Sequence, residues 1–119
     1  MENYSFEIGK GVQLKDGKDV TIIACGLMVQ EALKAQKLLE AEGISARVID
    51  MHTIKPIDRD IILKAAEETG AIVTAEEHNV IGGLGAAVAE VLVQNKSIPT
   101  EFVGVQDTFG HSASPAELL

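Results

Sequence analysis

Short β-branched runs alternate along the chain with stretches of helical period. Val20-Thr21-Ile22-Ile23-Ala24-Cys25 is apolar almost throughout, which predicts a strand buried on both faces of a parallel sheet. Gly26 ends it. From Met28 to Glu42 the apolar positions Met28, Ala32, Ala35 and Leu39 are spaced by four, three and four, so they share one helix face. Gly43 is the expected stop. Ala46 to Met51 reads as a second buried strand. Asp58 is placed to cap a helix over Arg59 to Thr69, with Ile61, Ile62, Ala65 and Ala66 inward and Gly70 at its end. Ala71 to Ala75 predicts a third buried strand. A glycine-rich loop, Gly82-Gly83-Leu84-Gly85, opens a further helix with the stripe Leu84, Ala87, Val88, Val91 and Leu92. Pro99 closes the connection to a last strand, Phe102-Val103-Gly104-Val105. Upstream, Tyr4 to Lys15 reads as extended, and Asp16-Gly17 as a turn.

Strand–helix alternation of this kind predicts right-handed crossovers and a largely parallel sheet with helices on both faces. In such sheets, ligands and partners meet the loops at the carboxyl ends of the strands. Cys25, His52, His78 and His111 all fall at or just after strand ends, and Glu76 and Glu77 precede His78. Cysteine and histidine are good zinc ligands, but no C-x-x-C, H-x-x-x-H or H-E-x-x-H spacing supports a metal here. Glu76 and Glu77 are neighbours on an extended segment, so their side chains point to opposite faces and cannot easily share a proton. Cys25 ends a buried strand and reads as a small core residue. No catalytic, cofactor-binding or metal-binding residue is assigned to this chain. Gly26, Leu27, His52, Glu76, Glu77, His78, Gly82, Gly83, Gly85, Asp107, Phe109 and His111 are instead candidates for a contact surface.

The glycine loop admits a second reading. A helix N-terminus with bare amides can hold an anion. The dinucleotide fingerprint G-x-G-x-x-G fails, because Val88 stands where the third glycine is needed and Glu76 to Ile81 separate the loop from the strand. The G-x-x-x-x-G-K-[ST] phosphate motif is absent. Tight turns and close helix packing account for the glycines better. A nucleotide- or phosphate-binding regulatory module at this loop stands as the alternative from another functional class. A purely structural interaction domain is a third.

Composition narrows the field. The chain has 119 residues, enough for one domain with its own core. Aromatics are 3% of residues, so the core is aliphatic and base-stacking nucleic-acid modules are disfavoured. A net charge of −8 repels phosphate backbones and anionic membranes. A single cysteine excludes an internal disulfide and suits a reducing compartment. The start lacks the pattern of a signal peptide, and the longest apolar stretch is broken by Gly26 and too short to span a bilayer. A cytoplasmic location is expected.

Five segments, in order, resemble the C-terminal domain of transketolase. They are Phe6-Glu7-Ile8-Gly9-Lys10-Gly11 with Asp19 to Ala24; Met51-His52-Thr53-Ile54-Lys55-Pro56-Ile57-Asp58; Thr74-Ala75-Glu76-Glu77-His78; Gly82-Gly83-Leu84-Gly85; and Asp107-x-Phe109-Gly110-x-Ser112. The resemblance implies a three-layer α/β/α fold with a five-strand mixed sheet in the order 1-3-2-4-5, the first strand antiparallel. It implies a crevice between the second and fourth strands, lined by Gly26, Leu27, Glu77 and His78. It further implies a parent enzyme that transfers a two-carbon ketol unit between sugar phosphates. Thiamine diphosphate and Mg2+ are then bound by N-terminal domains or a separate subunit, and this region supports the assembly and stabilises a homodimer. Deoxyxylulose-phosphate synthase and the β subunits of 2-oxo acid dehydrogenases share the E-E and G-G-x-G elements. His52-Thr53-Ile54-Lys55-Pro56 favours transketolase. Ala113 stands where the family often has glycine, and Leu119 is the last residue where the family usually continues into a helix. Residues 1–119 are therefore expected to be one domain excised from a longer chain.

Overall fold

The computed structural model describes residues 9–52, 54, 56–77 and 83–107. Its elements in chain order are β1 (Val12–Lys15), β2 (Val20–Ala24), α1 (Met28–Ala41), β3 (Ala46–Asp50), α2 (Arg59–Thr69), β4 (Ala71–Glu77), α3 (Leu84–Val93) and β5 (Glu101–Asp107). The strands form one five-stranded sheet in the order β1-β3-β2-β4-β5. Only β1 runs antiparallel, against β3; the other pairs are parallel. The expected topology is the observed one.

Side-chain alternation along the strands sorts the core into two layers. Ile23, Ile49 and Ile72 face α2 and α3, where they meet Ile62, Ala65, Ala66, Leu84, Val88 and Val91. Ile22, Ala24, Val48 and Ala75 face α1, where they meet Met28, Ala32, Ala35 and Leu39. The stripes expected for all three helices are those that pack inward, with Ile61, Ala87 and Leu92 half-buried at their margins. The chain passes from β2 through α1 to β3 on one side, then through α2 to β4 on the other. The sheet therefore changes direction between β2 and β4.

Asp58 caps α2 as its position suggests. One carboxylate oxygen accepts from the Ile61 amide at 3.2 Å and the other from the Gly11 amide at 2.9 Å, tying the segment before β1 to the helix start. At the amino edge of the sheet Arg47 is buried, yet its guanidinium meets Glu68 at 2.7 Å and Asp16 at 3.3 Å and donates to the Gly17 carbonyl at 3.1 Å. A buried cation is tolerated only with such partners. The charge of Arg47 is thus paired within the chain.

Two strands are longer than expected. β4 continues through Glu76 and Glu77 because both pair in register with Gln106 and Asp107, which lengthens β5 to seven residues as well. β1 occupies only Val12–Lys15 of the extended segment expected from Tyr4; residues 1–8 lie outside the described residues.

Candidate functional site at the carboxyl edge of the sheet

The loops after β2 and β3 and the last residues of β4 and β5 gather at one edge. After β2 the chain turns at Gly26, whose φ of +62° is left-handed and suits glycine. A Cβ there would also lie 2.9 Å from Oε1 of Glu77. Gly26 and the end of β4 thus approach closely at the switch point, and the approach depends on a missing side chain. Leu27 follows, 65% exposed, and opens α1. A large apolar residue held out at a strand end is a natural contact point.

Glu76 and Glu77 separate as strand neighbours must. Glu77 lies against Gly26. Glu76 turns to the opposite face and is only 4% exposed. Its two carboxylate oxygens accept from the amides of Leu84 at 2.8 Å and Gly85 at 2.9 Å. These are the first amides of α3, which have no partner within the helix. Gly85 packs so closely that a Cβ would meet Thr74 Oγ1 at 3.2 Å and Glu76 Oε2 at 3.3 Å. Gly83 directly precedes the helix.

This arrangement corrects two expectations. Glu76 is a buried internal cap of α3, so its side chain is not part of an accessible contact surface. The anion site expected as an alternative at Gly82–Gly85 is already filled by the protein's own carboxylate, and a phosphate approaching those amides would meet a negative charge. Sequence offered little signal for the cap, because a carboxylate eight residues before the helix matches no local capping pattern.

Cys25 sits beneath this edge. Burial first, and then the charges of Glu76 and Glu77, push its thiol up to about 11 from an ordinary 9.0. It stays protonated at neutral pH and is a poor nucleophile. Asp50, at the end of β3, is buried. Burial raises its carboxyl above the ordinary value, and the positive charge of His52 draws it partly back. His52 is half-buried. His78, Gly82, Phe109 and His111 lie outside the described residues, as does the side chain of Asp107.

The edge therefore brings together Gly26, Leu27 and Glu77 as accessible neighbours, with Cys25 and Glu76 below them. Among the described residues no group of three His, Cys, Asp or Glu side chains could hold a metal ion. With the α3 amides taken, the described residues do not fit a diphosphate-bearing cofactor or its magnesium.

Known proteins share this fold. The family described as "Transketolase, C-terminal domain" matches residues 9–119. The chain belongs to the transketolase C-terminal domain family. It is 51% identical over 109 residues to the 6-deoxy-6-sulfo-D-fructose transketolase subunit SqwH of Clostridium sp. (strain MSTE9), covering 92% of this chain and 34% of that protein. It is 49% identical over 106 residues to an apulose-4-phosphate transketolase polypeptide from Phocaeicola vulgatus, covering 89% of this chain and 34% of the relative. A solved structure described as a split gene transketolase, inactive beta4 tetramer, superposes with a TM-score of 0.83 at 52% identity, over 99% of this chain and 41% of its own. This transketolase C-terminal domain thus spans about a third of the length of the curated relatives it matches. Among the described residues no helix is long and apolar enough to cross a membrane.

Proposed function

We propose that this domain is the supporting C-terminal part of a transketolase-type enzyme that transfers a two-carbon ketol unit between sugar phosphates. Thiamine diphosphate and Mg2+ are held by thiamine-binding domains N-terminal to it, in the same chain or a separate subunit. The domain itself performs no chemistry. Residues 1–119 act as one unit whose carboxyl edge, at Gly26, Leu27, His52 and Glu77 and in the neighbouring residues His78, Gly82, Gly83, Gly85, Asp107, Phe109 and His111, faces that thiamine-binding part. The parent works as a homodimer in the cytoplasm, without nucleic acid or membrane, in keeping with the net charge of −8.

The observation that carries this reading is the state of the edge at the switch point. Its thiol is held neutral, its helix N-terminus is closed by Glu76, and an apolar leucine, Leu27, stands exposed on it. Such an edge suits burial against protein better than turnover of a substrate. Titration of the chain with thiamine diphosphate and Mg2+ in a calorimeter tests it. No binding heat is expected, and ketol transfer from a ketose phosphate to an aldose phosphate is expected only once the thiamine-binding part is added. Tight binding or turnover by the chain alone would refute the proposal.

A further inference from the structure

Helix α1 runs from the carboxyl edge of the sheet to its amino edge. Its C-terminal end is the negative pole of the helix dipole, where a basic side chain is favourable. The last turn has no basic residue; it carries Glu40, and Glu42 follows at the cap. Glu40 lies one turn beyond Gln36, on the same helix face. These two line a hollow of about 280 Å3 together with Asp16, from the turn after β1, and Ile44, Ser45 and Ala46 at the entry to β3. Gln36 is the unusual member. It is only 9% exposed, and its amide has no hydrogen-bond partner among the described residues. A polar group buried in this way is costly to leave unpaired. No described lysine reaches the two acids. Asp16 uses one oxygen, Oδ1, for the Arg47 guanidinium at 3.3 Å and the Gly17 amide at 2.9 Å, which leaves Oδ2 open. Glu40 has no ion pair among the described residues. Lys34, on the same helix, pairs with Glu31 instead at 3.4 Å.

We propose that this hollow binds a primary alkylammonium group. An ammonium has three N–H donors and no acceptor. Asp16 Oδ2, a carboxylate oxygen of Glu40 and the Gln36 carbonyl supply three acceptors, and the carbon stem lies along Ile44 and Ala46. The bound cation pairs the buried amide and brings the positive charge that the end of α1 lacks. Asp16 offers a single free oxygen, which suits the point charge of an ammonium better than the two-pronged guanidinium. Among the described residues no group of His, Cys, Asp and Glu side chains could hold a metal ion, which favours an organic cation. The volume agrees, being at the lower end of ligand pockets, with room for one alkyl chain rather than a nucleotide. A net charge of −8 draws cations to the chain. A free alkylamine and a lysine side chain of another protein offer the same group. The hollow lies at the opposite edge of the sheet from the surface proposed above and does not depend on it.

Titration of the 119-residue chain with n-butylammonium chloride, followed by NMR, tests the inference. The side-chain amide signals of Gln36 and the backbone amides of Gly43 and Ser45 are expected to shift and saturate. Tetramethylammonium at the same ionic strength carries the charge without an N–H donor and is expected to leave them in place. Gln36→Met keeps the length of the side chain and is expected to weaken binding about tenfold, as is Glu40→Gln at an exposed position. Should Gln36→Met fail to fold, Glu40→Gln decides alone. Glu31→Gln, in the first turn of the same helix, removes the same charge outside the hollow and is expected to leave the affinity unchanged. A capped lysine amide separates the two sources: affinity equal to that of butylammonium marks a lysine side chain as the occupant, and affinity about tenfold lower marks a free amine. No saturable shift, equal shifts with tetramethylammonium, or an affinity unmoved by Glu40→Gln would overturn the inference.

Discussion

Cys25 shows how burial decides what a reactive side chain can do. At the end of β2 its thiol is held neutral by loss of solvent and by two nearby carboxylates. The same environment has a thermodynamic signature. The folded thiol ionises at about 11, whereas the unfolded one ionises near 9.0. Its contribution to stability is therefore complete below about pH 9 and is lost as the pH rises toward 11. Each unit of separation corresponds to about 1.4 kcal/mol, so the loss is at most on the order of 3 kcal/mol. Urea unfolding of the natural chain and of Cys25→Ala across this range should show a steeper alkaline decline in the natural chain. Parallel declines would mean that the thiol is not buried as described.

At the scale of elements, α3 is fixed by a carboxylate from another element. Glu76 supplies charge and two hydrogen bonds to the amides of Leu84 and Gly85, where the helix dipole is positive. Glu76→Gln keeps the shape but removes the charge. It is expected to lower stability by about 1–2 kcal/mol in denaturant unfolding and to speed hydrogen exchange at those two amides. Unchanged exchange would contradict the capping role. The contrast with α2 shows what a sequence discloses. Asp58 and Gly70 bracket α2 as local signals, because a cap three residues from its amide is written within one turn. The stripe of α1 was legible for the same reason. The end of β4 was not, since two glutamates have low strand propensity and extend the strand only because β5 pairs with them. The nearness of Gly26 to Glu77 followed from the resemblance and its strand order, while the burial of Glu76 beneath them did not.

At the scale of the whole molecule, polar chemistry is distributed unevenly. At the amino edge Arg47 is paired with Glu68 and Asp16. At the carboxyl edge Cys25, Asp50 and Glu76 are buried, while Leu27 is exposed. The described residues thus present surfaces, in keeping with the supporting role proposed above. Membership of the transketolase C-terminal domain family names the assembly in which to look for that role. The most direct measurement is the affinity of the chain for the thiamine-binding part of the enzyme, compared between the natural sequence and Leu27→Asp. A loss of about tenfold or more with an unchanged melting temperature is predicted, since a buried leucine would be exchanged for a desolvated charge. Equal affinity of the two chains would show that this edge faces solvent in the assembled enzyme, and would contradict the account.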